Sequence, residues 1–88
     1  MERTLIARLT NGQGARIQGF VENVRVKKTM IFFVVADRSG RVQATVDRAA
    51  QPEAAEAAAV LTVGSSVTVE GRLQENAFVK LGGVEFIP

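Results

Sequence analysis

The stretch that decides the fold is residues 15–46, which read ARIQGFVENVRVKKTMIFFVVADRSGRVQATV. Ala15–Val26 is rich in β-branched residues and changes its alternation around Gly19, which is typical of a long strand that bends and serves two faces of a barrel. Met30–Ala36 is apolar and strand-prone, and Arg41–Val46 alternates cleanly between polar and apolar residues. We therefore predict three consecutive strands, joined by the polar turns KKT and DRSG.

The pattern changes from strand to helix at Ala49. Seven of the eleven residues 49–59 are alanine, Pro52 lies near their start, and Gly64 follows as the predicted stop. Residues 66–73 alternate again, residues 74–76 read as a turn, and residues 78–87 predict a last strand broken by Gly82 and Gly83. This order predicts an all-β fold, a five-stranded, partly open OB-fold barrel with one helix between strands three and four. An SH3-like barrel is the competing fold, and it normally lacks a mid-chain helix of this length.

Length and composition predict one domain over residues 1–88 and exclude several kinds of chemistry. The chain has no cysteine and no histidine, which excludes disulfides, the commonest zinc sites and Cys-His or Ser-His catalysis. The acids are scattered, so we expect no catalytic residue, no metal and no cofactor. No run approaches the roughly 18 apolar residues of a membrane span, and the N-terminus does not resemble a signal peptide. We expect a cytoplasmic protein that is monomeric as an isolated domain.

Charge is distributed unevenly along the chain, although the formal net charge is only +2. Residues 1–48 hold nine lysines and arginines against four acids, whereas residues 49–88 hold two against five. If the chain binds a polyanion, its first half is the expected contact.

Hairpin parity brings side chains of the first three strands to one surface, provided that both turns contain an even number of residues. The predicted members of this surface are Arg25, Phe32, Gln43 and Thr45. An unpaired base can stack on an aromatic ring while a guanidinium and an amide bond to its edge. The alternative is that Phe32 belongs to a continuous apolar strand and its polar neighbours are solvated. Lys27 and Lys28 mark an exposed loop that also suits phosphate contacts.

Several of these segments together resemble a known family. GFV at 19–21, IF at 31–32, DRSG at 37–40 and VQ at 42–43, with Arg25, are similar to the N-terminal anticodon-binding OB domain of class IIb aminoacyl-tRNA synthetases, the aspartyl, asparaginyl and lysyl enzymes. The likeness is close from Gly19 to Asp47 and looser beyond, and the aspartyl/asparaginyl type fits best. It implies that Phe32 stacks on the central anticodon uridine and that Arg25 and Gln43 complete its recognition. The expected partner is a tRNA anticodon loop or another single-stranded nucleic acid.

The chain also departs from that family. Asn23-Val24 stands where aspartyl enzymes often have arginines, Gln74 and Asn76 stand where basic residues are common, and Phe20 replaces a frequent tryptophan. The sequence ends at Pro88, about where a linker to a catalytic domain would begin, and it lacks the class II catalytic motifs, so we expect no aminoacylation from these residues. Two other functions remain open: a general single-strand binder, and a protein-interaction or scaffold domain that uses the barrel as a frame.

Overall fold

The computed structural model describes residues 3–77, 79 and 81–88, and its strands close into a barrel. A short 3-10 helix at Ile6–Arg8 comes first. The following elements are β1 (Gly14–Val26), β2 (Met30–Asp37), β3 (Gly40–Asp47), α1 (Pro52–Ala59), β4 (Ser66–Glu75) and β5 (Val84–Ile87). The order around the barrel is β1-β2-β3-β5-β4, and β1 pairs with both β2 and β4. All pairs are antiparallel except β3 with β5. The predicted OB-fold, with one helix between the third and fourth strands, is confirmed, and the SH3-like alternative is wrong. The barrel is closed rather than partly open, because β5 pairs with both β3 and β4.

The alternation of each strand decides which side chains fill the barrel. On β3 and β4 the residues predicted to face inward do so, and they are shielded more than their polar neighbours. The largest fully buried side chains come from four different strands: Ile17, Val21, Ile31, Val35, Val46 and Phe86. Ala55 and Ala58 of α1 pack against this core, so the helix closes one end of the barrel. Burial of this apolar surface is the main stabilising contribution to the fold.

The change of face along β1 occurs at a bulge, not at Gly19 as the sequence predicts. Val21 pairs with Val35 but Asn23 pairs with Val34, so Glu22 is an extra residue that moves the inward positions of β1 from odd to even numbers. Gly19 serves a different purpose. A Cβ there would lie 2.1 Å from the carbonyl oxygen of Ala36, so only glycine allows β2 to approach β1 this closely.

Both ends of the helix differ from the predicted ones. Residues 49 and 50 form a turn rather than helix, because the Asp47 carboxylate accepts hydrogen bonds from the backbone amides of Ala49 and Ala50 at 2.9 and 3.2 Å. The helix begins at Pro52, whose fixed φ suits a first turn. It ends at Ala59, and Gly64, with φ +94°, lies in the loop before β4 rather than at the helix end.

The last hairpin differs from the predicted one. Residues 74 and 75 continue β4 instead of turning, since Gln74 pairs with Glu85 and Glu75 with Val84. β5 is confined to Val84–Ile87 because the glycines at 82 and 83 take φ values of +74° and +67°, a conformation that ends a strand. Of the predicted strand 78–87, positions 78 and 80 lie outside the described residues.

The turn between β2 and β3 is organised by one carboxylate. Asp37 accepts hydrogen bonds from the Ser39 hydroxyl at 2.6 Å and from the amides of Ser39, Gly40 and Ile6 at 2.8, 3.2 and 2.9 Å. Burial by itself would raise the pKa of Asp37, but these hydrogen bonds outweigh it and lower the pKa below its usual value. These hydrogen bonds hold the turn without a positive φ at Gly40. The bond from the Ile6 amide also ties the N-terminal segment to the barrel. The pairing of β2 with β3 continues without a bulge as far as Asp37 and Gly40.

Candidate nucleic-acid interface

The first three strands bring the predicted residues to one outer surface of the barrel. Arg25 pairs with Phe32, and Phe32 pairs with Thr45, so these three form a row across β1, β2 and β3. Gln43 lies two residues from Thr45 and pairs with Val34, in the next row. The two hairpins have the even parity on which this placement depends. The common face that the sequence predicts is therefore confirmed.

Phe32 is the aromatic side chain of this face, and it is half-buried with two cations beside its ring. The Arg25 guanidinium carbon lies 5.2 Å from the ring centroid and the Lys27 ammonium 5.9 Å from it. Both distances fall within the range of cation–π attraction. The ring and its cations thus combine a flat apolar surface with positive charge, which suits a base joined to a phosphate.

A groove of about 180 Å³ opens beside Phe32 and holds the polar groups that could contact a base edge. Arg25 and Gln43 line it, together with Asn23 and Val34. The amide of Gln43 carries both a donor and an acceptor, and so does that of Asn23. Sequence reasoning missed Asn23, although its position two residues before Arg25 on a strand already places it on the same face.

Thr45 lies on this face, as the sequence predicts, but its side chain is not accessible to a ligand. Its side chain is buried, and its hydroxyl donates a hydrogen bond of 2.9 Å to Oε2 of Glu85, which is itself buried. Because β3 and β5 are neighbours, Glu85 covers the hydroxyl that a ligand would otherwise reach. We therefore correct Thr45 from an exposed position to a buried one that positions a carboxylate. No local signal in the sequence could have revealed Glu85, since its place depends on the register of β5.

The turn between β1 and β2 forms a basic rim at one end of the groove. Lys27 and Lys28 are exposed, and the turn is closed by a backbone hydrogen bond of 2.9 Å from the amide of Lys27 to the carbonyl of Met30. Arg48, which the sequence did not single out, donates from its guanidinium to the carbonyl of Lys27 at 3.0 Å. It fixes the turn from β3 and adds a further cation to this end of the molecule.

Pairing of charges distinguishes this rim from the rest of the surface. Three arginines elsewhere lie near carboxylates: Arg16 at 2.6 Å from Glu70, Arg41 at 3.5 Å from Glu22 and Arg3 at 3.9 Å from Asp37. Across the described residues, Arg25, Lys27 and Lys28 form no such ion pair. Their charge is not neutralised by any carboxylate of the described part of the chain, which makes it available to a polyanion.

Other kinds of site find little support in the described part of the chain. It contains no group of three acidic side chains placed to hold a metal ion. None of its helices is long and apolar enough to cross a membrane.

Comparison with known proteins places this geometry in a wider group. Residues 15–87 match a family model described as the OB-fold nucleic acid binding domain of the tRNA anticodon type. The aspartate–tRNA(Asp/Asn) ligase of Methanopyrus kandleri is 38% identical over 79 residues, which are 89% of this chain and 18% of the ligase. The chain thus spans less than a fifth of the length of this curated relative.

Solved structures agree on the fold. The asparaginyl-tRNA synthetase from Pyrococcus horikoshii in complex with asparaginyl-adenylate superposes with a TM-score of 0.85 at 28% identity, over 99% of this chain and 21% of that one. An OBody bound to hen egg-white lysozyme superposes with a TM-score of 0.85 at 21% identity, over 100% of this chain and 91% of the OBody. At that lower identity, the likeness shows a shared fold alone.

Proposed function

Because this chain belongs to the tRNA anticodon family of OB-fold nucleic acid binding domains, we propose that it binds the anticodon loop of a tRNA through the face around Phe32. The proposal is supported most by one observation: an aromatic ring on the outer surface of a sheet is flanked by cations that form no ion pair with a carboxylate of the residues that the structure describes. We take residues 1–88 to be one such domain.

In the proposed complex, the central anticodon uridine stacks on Phe32. Such stacking stabilises a complex by about 1–3 kcal/mol per base, and it tolerates any base because every base has an aromatic face. Preference for uridine then has to come from hydrogen bonds. Gln43 and Arg25 line the groove beside the ring and offer donors to the uracil carbonyl oxygens, while the Gln43 carbonyl accepts from the uracil N–H.

The basic rim supplies attraction without base preference. Lys27 and Lys28 meet the phosphates that flank the stacked base, and this contact makes binding dependent on salt. Thr45 does not contact the RNA in this proposal, since its buried hydroxyl donates to Glu85 on the neighbouring strand. No cofactor or metal is needed for any of these contacts.

We infer that the chain contributes RNA recognition to a cytoplasmic aspartyl- or asparaginyl-type ligase, and that bond-forming chemistry belongs to other parts of such a protein. The similarity to ligases of which it spans about a fifth supports this role. Whether the reading frame continues past Pro88 into class II catalytic motifs tests the inference directly. A frame that ends there would favour a free-standing binding domain.

The decisive experiment measures the affinity of an anticodon stem-loop for the parent chain and for Phe32→Ala. We expect this substitution to weaken binding of a uridine-centred stem-loop roughly 5- to 150-fold, the range that corresponds to loss of one stacked base. Val60→Ala is the matched control, because Val60 is 78% exposed at the end of α1 and belongs to no groove near the face. Equal binding by Phe32→Ala and the parent chain would contradict the proposal.

Base preference separates the anticodon proposal from the general single-strand binder. Stem-loops that differ only in the central base should bind the parent chain unequally, with uridine preferred, and Gln43→Ala should reduce that preference more than it reduces total affinity. Equal affinity for all four central bases, combined with strong salt dependence, would indicate a general binder. Absence of binding to any RNA at low salt would indicate the scaffold function.

A further inference from the structure

A second aromatic side chain, Phe20, lies on the outside of the barrel and has no part in the groove beside Phe32. It is 60% exposed, which makes it the most exposed aromatic of the described residues. It belongs to β1, just before the bulge at Glu22, where even-numbered positions face outward. The burial of apolar surface that stabilises the fold therefore does not explain an aromatic residue at this position.

The surroundings of Phe20 repeat the chemistry found around Phe32. An open groove of about 380 Å³ beside it is lined by Arg3, Gln18 and the β4 residues Ser66 and Thr68. The guanidinium of Arg3 donates to the carbonyl of Gln18 at 3.2 Å, which holds it across β1 next to this groove. A phenylalanine, an arginine and a glutamine thus share a sheet surface for the second time in one small barrel.

The two aromatic sites lie along the same pair of strands. Phe20 pairs with Ala36, four residues along β2 from Phe32, a separation of roughly 13 Å at the rise of a strand. Between them a third groove, of about 590 Å³, is lined by Val21, Asn23, Val34 and Leu81. It shares Asn23 and Val34 with the groove beside Phe32, and Val21 is the neighbour of Phe20.

We propose that Phe20 is a second stacking platform, which binds a base of the same single strand a few nucleotides away from the base on Phe32. The inference rests on the proposed function, since it extends the nucleic-acid path along the outer surface of β1 beyond the anticodon-reading groove. OB-folds bind about 4–16 nucleotides, so a path that joins both platforms is an ordinary length for this fold. The ligand at Phe20 is an unpaired nucleotide held mainly by its base.

Charge explains why this platform would act through the base more than through phosphate. Arg3 lies 3.9 Å from the buried carboxylate of Asp37. Arg16, which is on β1 like Phe20, lies 2.6 Å from Glu70. Between the platforms Arg41 lies 3.5 Å from Glu22. Because these charges are compensated, removal of Phe20 should lower affinity without changing the salt dependence, which Lys27 and Lys28 would still supply.

The absence of tryptophan and tyrosine from the chain provides a direct test. Phe20→Trp and Phe32→Trp each introduce a single fluorophore, and a stacked base quenches indole fluorescence. With a uridine-rich RNA of about twelve nucleotides, long enough for an OB-fold site, we expect saturable quenching of both variants at the same RNA concentration. With a dinucleotide, which is too short to span the roughly 13 Å between the two rings, we expect quenching of Phe32→Trp at lower concentrations than of Phe20→Trp.

The affinity of the long RNA gives the second measurement. Phe20→Ala should weaken binding of the twelve-nucleotide RNA about five-fold or more and should leave binding of the dinucleotide within about two-fold. The slope of affinity against salt should stay that of the parent chain. Val60→Ala serves again as the control for loss of an exposed apolar side chain, and circular dichroism checks that each variant is folded.

The outcomes distinguish failure of this inference from failure of the proposed function. Quenching of Phe32→Trp without any quenching of Phe20→Trp would overturn the second platform and leave the first in place. That result would also be expected if Phe20 docks on another part of a longer protein. If neither variant is quenched by RNA of either length, both the proposed function and this extension of it are wrong.

Discussion

The two turns at opposite ends of β2 use their polar groups in opposite ways. At one end the carboxylate of Asp37 accepts four hydrogen bonds from its own chain. At the other end Lys27 and Lys28 are exposed, and backbone hydrogen bonds and Arg48 hold the turn. The polar groups of the Asp37 turn thus stabilise the fold, whereas the charges of the Lys27-Lys28 turn remain available for binding.

This contrast predicts that substitutions at the two ends affect different properties, and the largest effect belongs to Asp37→Ala. Loss of the carboxylate leaves three backbone amides without their acceptor, and we expect the free energy of unfolding to fall by about 3 kcal/mol. Urea denaturation measures it. Asp47→Ala is the matched control, because this exposed carboxylate caps only two amides and should cost about 1 kcal/mol. A smaller loss for Asp37→Ala than for its control would contradict the assigned role.

Acid should weaken the same turn reversibly. The hydrogen bonds hold the pKa of Asp37 below its usual value, so its carboxylate is more stable in the folded chain than in the unfolded one. The stabilisation is fully present above the unfolded pKa of about 3.9 and is lost as the pH falls through the lower folded value. Melting temperature measured from pH 6 down to the acid range should therefore decline below about pH 4. Asp37→Asn should show a weaker decline; an unchanged pH profile would exclude Asp37 as the cause.

At the other end of β2, the double substitution Lys27→Ala with Lys28→Ala should change RNA binding and leave stability nearly unaltered. Each phosphate contact with single-stranded RNA contributes about 0.7 to the slope of log affinity against log salt, so the slope should become shallower by about 1.4. The free energy of unfolding should stay within about 0.5 kcal/mol of the parent value. Arg16→Ala is the control, because its guanidinium already pairs with Glu70. A salt slope equal to that of the parent chain would show that the rim does not contact phosphate.

The smallest expected effect on RNA binding is that of Arg48→Ala. The substitution removes one hydrogen bond of 3.0 Å to the carbonyl of Lys27, in an exposed place, so we expect a loss of about 0.5–1 kcal/mol in stability. RNA affinity should fall by about two-fold, because Lys27 is then less well placed beside Phe32. Hydrogen exchange at the amide of Lys27, which bonds to Met30, reports loosening of the turn. If Arg48→Ala lowers RNA affinity more than the double substitution of Lys27 and Lys28 does, Arg48 itself contacts a phosphate.

Much of the fold could be predicted because the signals that specify it are local. Alternation with period two places Val42, Ala44 and Val46 in the core without reference to the rest of the chain. Parity carries this argument across a hairpin, which is why Arg25, Phe32 and Gln43 could be placed on one face.

The features that were missed depend on contacts between distant segments. The bulge at Glu22 follows from how β1 pairs with β2, and no residue type marks it. The burial of Thr45 follows from the parallel pairing of β3 with β5, which brings Glu85 beside it from 40 residues away. Gly19 was noticed, but its purpose became clear only from the closeness of Ala36.

The amino-acid sequence by itself determined the number of strands, the position of the helix, the inward side of β3 and β4 and the grouping of Arg25, Phe32 and Gln43. These properties follow from residue spacing, because side chains in a strand alternate between two faces. The tertiary structure alone decided which members of a face are accessible: Phe20 is exposed, Phe32 is half-buried near two cations, and Thr45 is covered by Glu85. Accessibility depends on what the closing strands bring alongside, and the register of that closure is not encoded in any short segment.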